Sequence, residues 1–401
     1  MLDKVRDGAQ WIAARLHDCQ LQTQLIENEG HPVVLGCSPP PGPASGVPTL
    51  LFYGHYDVQP PDPLQKWTSP PFEPTIRGQS IYARGASDDN GQVCCFLEAV
   101  SAWMRVTGKL PCRVMVLIEG EEECGSIHLR RVIEAHKQEL KADIVLISDT
   151  TMWNRDTVAI TYGLRGLLYF DIQLHNAKRD LHSGMFGGIL ANPATILTQV
   201  LGQLSDAQYR ITIPHFYDDV LEVTETERRN WSRLGFDEMH DCLSTIGVVT
   251  PFGEAGYTTL ERKWTRPTCD ICGLYGGYGG SGAKTVIPSF AGAKVSFRLA
   301  GKQDPVKISG DFEHWLRSHG VRGCRWQIEQ LGAADPVLVA DDSPYMDAAK
   351  KAVEQTSGKP AVLVHDGATI PVVADFKKIL GIDSLLIGFG QTDDCIHSPN
   401  E

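Results

Sequence analysis

The spacing of apolar residues predicts alternating helices and strands in the first part of the chain. Between Asp3 and Leu16, apolar residues recur at every third or fourth position, which indicates an amphipathic helix. Short continuous apolar runs further on are typical of strands covered on both faces. Strands are therefore predicted at Val33–Leu35, Thr49–Tyr53, Arg113–Ile118 and Asp143–Ile147, with helices from Asp88 to about Val106 and at Ile127–Leu140. Strands that alternate with helices indicate a parallel α/β sheet.

The pattern changes after Gly163, where strands begin to alternate apolar and polar residues. Strands with one solvated face are predicted at Leu168–Leu174, Ala291–Leu299 and Arg325–Leu331, and helices at Asn192–Leu204 and Pro305–His319. The first pattern then resumes with a helix at Ser343–Thr356 and a strand at Ser384–Phe389. The fold class is therefore predicted as α/β. A mixed, mainly parallel-sheet domain of residues 1–163 and 334–401 would carry an inserted α+β domain of residues 164–333.

Segments rich in Pro and Gly predict loops between these elements. The two Pro-rich loops are Ser38–Pro48 and Pro60–Pro74. A Gly-rich stretch at 273–282 lacks the Lys and Ser/Thr of a phosphate loop, so it is interpreted as backbone of the inserted domain.

Charge and composition narrow the classes of partner. The 401 residues include 37 Lys and Arg and 49 Asp and Glu, which gives a net charge of −12. An acidic balance argues against nucleic-acid and anionic membrane partners. No apolar run approaches the roughly 20 residues that span a bilayer, and the first residues do not resemble a signal peptide.

The cysteines indicate a reducing compartment. Their number, 11, is odd, and Cys94 and Cys95 are adjacent, so we expect reduced thiols and a cytoplasmic protein. The single C-x-x-C pair, Cys269 and Cys272, has no second pair and is interpreted as structural. Cys124, next to Glu123, is interpreted as a packed thiol rather than a nucleophile.

Acidic and imidazole residues follow the predicted buried strands at their carboxyl ends. Ligands bind at that edge of an open α/β sheet. Asp88 and Asp89 begin a predicted helix near the same edge. The residues that follow the strands are His55 and Asp57, then Glu121, Glu122 and Glu123, then Asp149, and finally His397.

These residue types suit a divalent metal. Imidazoles with carboxylates bind zinc, cobalt or manganese, and there are enough of them for two ions with one bridging carboxylate. Two such ions would activate water and polarise a carbonyl. Adjacent Glu122 and Glu123 cannot both face one ion from a strand end, so one would bind metal and the other would act as a base. Asp57, two residues from His55, has the place of a carboxylate that orients an imidazole.

Four runs resemble a known family. They are Gly54–Pro60, Arg84–Gly91, Glu122–Ser126 and Ser148–Asp149. In this order they resemble the co-catalytic zinc exopeptidases, which include carnosinase, cytosolic non-specific dipeptidase, glutamate carboxypeptidases, aminoacylase and succinyl-diaminopimelate desuccinylase. The resemblance extends over nearly the whole chain and is greatest for the dipeptidase branch.

The resemblance implies a role for each residue of these runs. Glu122 would be the general base and Asp57 the partner of His55. Asp88 would be joined to Asp89 by a cis peptide bond. The metal ligands would be His55 and Asp149 for one ion, Glu123 and His397 for the other, and Asp88 bridging both.

The resemblance also makes the inserted segment a lid and dimerisation domain. His182 would reach the active site of the partner subunit and stabilise an oxyanion. Thr285, Arg298 and Thr369 lie in segments that resemble those binding the free carboxylate of a substrate, for which a guanidinium is well suited. At the last of these segments Ala368 and Thr369 stand where the family has Gly and Ser.

The sequence therefore predicts a homodimeric metallodipeptidase or carboxypeptidase with two divalent ions, zinc or else manganese or cobalt. A deacylase of N-acyl amino acids, or a desuccinylase, would use the same site. A catalytically silent binding or scaffold homologue is the alternative of a different class, against which the complete ligand set and Glu122 argue.

Overall fold

The structure is a computed structural model that describes residues 2–39 and 46–401. Residues 40–45, part of the predicted Ser38–Pro48 loop, lie outside the described residues. The chain divides into two compact units. The first unit comprises the chain up to Tyr162, Val339–Val364 and Pro371–Glu401, and the second comprises Gly163–Leu338 and His365–Ile370.

The first unit alternates strands with helices. Its helices are α1 (Leu2–Asp18), α2 (Asn90–Thr107), α3 (Leu129–Ala135), α9 (Pro344–Ser357) and α10 (Pro371–Asp375), the last continued by a π-helical turn at Phe376–Leu380. Its strands are β1 (Gln22–Ile26), β2 (Val33–Cys37), β3 (Thr49–His55), β4 (Thr75–Arg77), β5 (Ser80–Tyr82), β6 (Arg113–Glu119), β7 (Ile144–Ile147), β8 (Ala159–Leu164), β16 (Val362–Asp366) and β17 (Ser384–Leu386), where β8 and β16 continue into the second unit.

A mixed sheet forms the centre of the first unit. Its order is β1-β2-β6-β3-β7-β17-β8, with β16 beside β8. The central strands β6, β3, β7 and β17 are parallel, and the pairs β1–β2, β2–β6 and β17–β8 are antiparallel. Helices α1 and α2 bury Ile12, Leu16 and Leu97 in one core with Phe52 and Val116 of the sheet. These strands are apolar on both faces because parallel strands are covered on both sides.

The second unit is an α+β arrangement. Its helices are α4 (Ser183–Phe186), α5 (Pro193–Leu201), α6 (Glu225–Ser232), α7 (Thr259–Trp264) and α8 (Pro305–Ser318). Its strands are β9 (Gly166–His175), β10 (Leu181–His182), β11 (Thr268–Gly276), β12 (Val286–Ile287), β13 (Phe290–Leu299), β14 (Arg325–Ala334) and β15 (Val337–Leu338). The unit extends to Leu338 because β15 pairs with Gly163 and Leu164 at the end of β8.

An antiparallel sheet in the order β11-β13-β9-β14 carries the core of this unit. Strand β9 alternates buried and half-buried residues along its whole length. Its buried residues, among them Phe170, pack with Phe297 of β13 and Phe312 of α8. Pro at the first turn and an Asn or Asp cap define the starts of α5 and α8.

Several predicted bounds are wrong, for local reasons. The helix predicted at Ile127–Leu140 is only α3, because after His136 the chain tightens into turns in which Glu139 N donates to His136 O. Part of the Gly-rich stretch belongs to strand β11 of the second unit, which agrees with its interpretation as backbone of the inserted domain. The strand predicted to reach Phe389 ends at Leu386. At Gly388 the backbone passes so close to Thr150 O that a Cβ would lie 1.9 Å from it.

Candidate metal centre

The carboxyl edge of the parallel strands gathers the predicted ligands. His55 is the last residue of β3, Asp149 follows β7, and Glu123 lies in a short 3-10 helix after β6. Asp88 lies two residues before the start of α2, and His397 follows β17 in the chain. Because neighbouring parallel strands end at one edge, residues far apart in sequence converge there.

The first group of potential ligands consists of His55, Asp88 and Asp149. His55 Nε2 lies 3.1 Å from Asp88 Oδ1 and 3.8 Å from Asp149 Oδ2. The imidazole of His55 is completely buried. A buried nitrogen facing two carboxylates is a donor set suited to a divalent ion of zinc type.

The second group shares one carboxylate with the first. It consists of Asp88, Glu123 and His397. His397 Nε2 lies 3.0 Å from Asp88 Oδ2 and 3.2 Å from Glu123 Oε2. Asp88 thus directs one oxygen to each group, which is the arrangement a bridging carboxylate needs. The peptide bond between Asp88 and Asp89 is cis.

Asp57 orients His55 mainly through its main chain. The Nδ1 of His55 lies 3.1 Å from Asp57 O and 3.5 Å from Asp57 Oδ1. A proton on Nδ1 donated to that carbonyl leaves the Nε2 lone pair directed at the carboxylates.

The carboxylate of Asp57 supports the turn that carries the two glutamates. It accepts hydrogen bonds from Glu122 N at 3.2 Å and Glu123 N at 3.0 Å. Gln59 then fixes the Glu123 side chain, because its Nε2 donates to Glu123 Oε2 at 2.8 Å. Glu122, which is in neither ligand group among the described residues, is left beside them as an acid–base group.

The crowded carboxylates of the two ligand groups would be stabilised by a nearby positive charge. Burial and the neighbouring carboxylates raise the pKa of Glu122 to about 8, although His55 opposes the rise. Burial likewise raises the pKa of Asp149 to about 6. Burial disfavours a charged imidazole, yet hydrogen bonds with Asp57 and Asp88 raise the pKa of His55 well above its usual value. Carboxylates crowded in this way are neutralised by a divalent cation, so the residues present fit two metal ions.

Glu401 holds the loop that carries Asp88. Its buried carboxylate accepts from the backbone N–H groups of Gly85, Ser87 and Asp88 at 3.1, 3.2 and 3.1 Å. It also pairs with the guanidinium of Arg84, and both side chains are 1% exposed. Three backbone donors on one carboxylate fix the path of the loop, and with it the position of Asp88.

In the second unit, Arg298 and Thr369 come together. Arg298 Nη1 donates to Thr369 Oγ1 at 2.8 Å, and that hydroxyl donates to Arg165 O at 2.6 Å. Arg165 therefore joins the pair predicted from the sequence.

His182 and Thr285 form a separate pair in the same unit. Thr285 Oγ1 lies 3.4 Å from His182 Nε2, and both residues are exposed. His182 Nδ1 accepts from Gly184 N at 3.0 Å, so it caps α4. With Nδ1 as acceptor, the neutral imidazole carries its proton on Nε2 and can donate from there.

The cysteines take no part in either ligand group of the described residues. The interpretation of Cys124 as packed is wrong, because Cys124 is exposed, with its thiol directed at Glu121 O. Partial burial of the thiol still raises the pKa of Cys124, which disfavours the nucleophilic thiolate.

Sequence reasoning missed Gln59, Arg165 and Glu401. Gln59 lies inside the first run that carries the resemblance, so its two-residue distance from Asp57 was an available signal. Glu401 follows His397 by four residues, but its contacts are with residues more than 300 positions earlier in the chain. Contacts of that range leave no pattern in a single sequence.

Comparisons with known proteins agree with this geometry. The sequence profile of peptidase family M20/M25/M40 matches residues 51–401. The chain is 31% identical to the Beta-Ala-His dipeptidase of Homo sapiens over 414 aligned positions, which cover 100% of this chain and 80% of that protein. It is 32% identical to a Cys-Gly metallodipeptidase of Schizosaccharomyces pombe over 380 positions, covering 92% of this chain and 78% of that protein.

Solved structures show the same fold. An M20 family metallo-carboxypeptidase of Sulfolobus solfataricus superposes with a TM-score of 0.86 at 32% sequence identity. The match covers 98% of this chain and 88% of that protein. Among the described residues of this chain, we find no helix with the length and apolar character needed to span a bilayer.

Proposed function

Because this chain belongs to peptidase family M20/M25/M40, we propose that it hydrolyses the amide bond of dipeptides or short peptides with a free C-terminal carboxylate. The chain is a metallopeptidase, and enzymes of the family depend on two metal ions. The observation that carries the proposal is the sharing of Asp88 between two ligand groups, with Glu122 beside them and outside both.

In the first unit, one set of residues would bind the metal ions and Glu122 would transfer the proton. We assign His55 and Asp149 to one ion, Glu123 and His397 to the other, and Asp88 to both. Bound there, two divalent ions, zinc in our proposal and manganese or cobalt as alternatives, would polarise the scissile carbonyl and favour ionisation of the attacking water. Glu122 takes the proton of that water and delivers it to the leaving amine.

Asp57 serves this step by fixing the turn and the imidazole together. Its carboxylate holds the backbone of Glu122 and Glu123, and its carbonyl faces His55 Nδ1. A base that is held in place loses less freedom when it takes the proton.

Residues of the second unit would select the substrate. We propose that Arg298, Thr369 and Thr285 bind the C-terminal carboxylate, which limits the enzyme to short peptides. We further propose that this unit is a lid and dimerisation domain, and that His182 donates a hydrogen bond to the oxyanion in the active site of the partner subunit. The cytoplasmic location remains a prediction from the cysteine content.

Substitution of the proposed base tests the mechanism. In Glu122→Gln we expect hydrolysis to fall by about 10²–10⁴-fold, the usual contribution of a general base, while both ions still bind. Turnover of Ala-Ala and metal stoichiometry by calorimetry are the measurements. Glu354→Gln, on the exposed face of α9, is the matched control and should turn over normally. Wild-type turnover in Glu122→Gln would show that Glu122 is not the base.

A substrate panel distinguishes the activities that this site could support. Metal-stripped protein receives zinc, manganese or cobalt and is offered dipeptides and N-acyl amino acids. Cleavage of dipeptides only after metal is restored supports the proposal and ranks the metals. Cleavage of N-acyl amino acids alone would make the chain a deacylase with the same metal centre. Binding of two ions without any turnover would favour a silent homologue.

A further inference from the structure

Two arginine side chains of the second unit, Arg165 and Arg298, lie close together, and neither has an acidic partner among the residues that the structure describes. Arg298 pairs with Leu167 in the register of β13 and β9, so it is a neighbour of Arg165, which immediately precedes β9. Within residues 2–39 and 46–401, no carboxylate oxygen lies within 4.0 Å of either guanidinium. Asp270 and Asp366 favour the charge of Arg165 only from a greater distance.

The surroundings of Arg165 make an unpaired cation costly. Its burial, followed by the positive charge of Arg298, lowers the pKa of Arg165 to about 10. Like charges in a partly buried site repel each other unless a counter-ion joins them. Both guanidinium groups would therefore be stabilised by a bound anion.

Arg165 also holds the segment that carries Thr369 in place through two hydrogen bonds. Its Nε donates to Gly367 O at 3.1 Å, and its own carbonyl accepts from Thr369 Oγ1 at 2.6 Å. A glycine at residue 367 permits this close approach, because a Cβ there would lie 2.9 Å from the backbone oxygen of Lys263 and 2.9 Å from Arg165 Nη2. The segment is thus held by both the side chain and the main chain of one residue.

The hydroxyl of Thr369 connects Arg165 to Arg298. Thr369 Oγ1 donates to Arg165 O and accepts from Arg298 Nη1 at 2.8 Å. This contact uses one donor of Arg298 and leaves the remaining N–H groups of its fork for an anion. Displacement of Arg165 would therefore displace Thr369 and release Arg298.

We propose that Arg165 is the positioning residue of an anion subsite formed by Arg298 and Thr369, and that its charge makes the subsite selective for a carboxylate over a neutral group. The inference rests on the proposed function, because the carboxylate is that of the C-terminal residue of the peptide. A purely structural Arg165 would hold the segment equally for charged and neutral ligands.

The test compares Ala-Ala with its C-terminal carboxamide, Ala-Ala-NH2. In Arg165→Gln we expect KM for Ala-Ala to rise about tenfold to a hundredfold, the usual effect of losing a charged interaction. kcat for Ala-Ala and the kinetics with the carboxamide should change by less than about threefold. Arg165→Lys keeps the charge without the planar fork and should recover part of the preference for the acid.

A binding measurement separates this inference from the proposed function. Saturation-transfer NMR of N-acetylalanine and N-acetylalaninamide, recorded in the Glu122→Gln background so that neither compound is cleaved, reports carboxylate binding without turnover. Arg322→Gln, an exposed arginine of the same unit, is the matched control and should behave as wild type in both assays.

The outcomes are distinct. If the wild type cleaves no dipeptide but binds N-acetylalanine in an Arg165-dependent way, the proposed function fails and the inference stands. If the wild type cleaves dipeptides while Arg165→Gln affects acid and carboxamide equally, or affects neither, the inference is overturned and the proposed function stands.

Discussion

At the scale of the residue, His365 of the second unit is a buried histidine whose pKa lies well below its usual value. His365 is 5% exposed, and its ring lies 5.3 Å from that of Trp231 and 3.9 Å from Glu227 Oε1. Burial lowers the pKa of His365 to about 4, although Glu227 opposes the shift. The ring fits only because residue 163 is a glycine, where a Cβ would lie 2.6 Å from it.

This histidine should make the protein less stable in mild acid. A folded pKa of about 4 lies below the usual 6.5, so the unfolded chain takes up the proton first as the pH falls from 6.5 towards 4. The stability contribution is complete above pH 6.5 and decreases below it. Between pH 7.5 and pH 5 we expect His365 to cost about 2 kcal/mol of the free energy of unfolding.

Urea unfolding, followed by tryptophan fluorescence at the two pH values, measures this loss. His365→Gln should lose about 2 kcal/mol less than the wild type between them. His314→Gln, at an exposed site of the same unit, should lose as much as the wild type. Equal losses in all three proteins would contradict the assignment of the effect to His365.

At the scale of the element, the start of α2 is packed against the loop that carries Asp88. Gly91 lies in the first turn of α2, and a Cβ there would lie 2.0 Å from Ala86 O. That atom belongs to backbone, so it cannot yield by a side-chain rotation. The absence of a side chain at residue 91 lets helix and loop meet.

Gly91→Ala should therefore impair metal binding more than it affects the helix. Alanine favours helix, but the loop with Asp88 must move, and we expect metal affinity to fall by about tenfold or more. Calorimetry with zinc or manganese measures the affinity. Gly310→Ala in α8, where a Cβ meets no atom within 4 Å, should bind metal normally and gain up to about 1 kcal/mol of stability. Undiminished affinity in Gly91→Ala would show that the loop adapts.

The same elements show how far the sequence could predict the structure. His55 ends one strand and Asp149 follows another, and the apolar runs of both strands are continuous, so the position of both residues at the carboxyl edge follows from strand periodicity and parallel pairing. The ends of α3 and β17 depend on local backbone contacts, such as that of Glu139 N with His136 O after α3 and the close approach of Gly388 to Thr150 O. Arg165 and Glu401 act through backbone groups of distant segments, and no spacing or periodicity encodes such contacts.

At the scale of the whole molecule, the proposed chemistry is divided between two sets of residues. Glu122 and the proposed metal ligands belong to the first unit, and His182 belongs to the second. If His182 serves the partner subunit, two inactive variants can complement each other within a dimer.

A mixing experiment tests this exchange. Glu122→Gln and His182→Ala should each be nearly inactive alone. Equal mixing with subunit exchange should restore about a quarter of wild-type activity, since half of the dimers are mixed and one of their two sites is intact. Size-exclusion chromatography with light scattering confirms that dimers are present. Dimers that exchange subunits without regaining activity would place His182 in the active site of its own chain.

The order of strands in the central sheet also determines how late in synthesis the sheet can be completed. Strand β17 lies between β7 and β8, yet the ribosome adds more than 200 residues between β8 and β17. At a synthesis rate of about 5–20 residues per second, the edges of β7 and β8 that pair with β17 remain unpaired for roughly 10–45 s. Residues 163–338 are complete before then, so the second unit gains most of its chain while the first is still an unfinished sheet with exposed edges. We therefore expect the nascent first unit to be the part of the molecule that most needs a chaperone during synthesis.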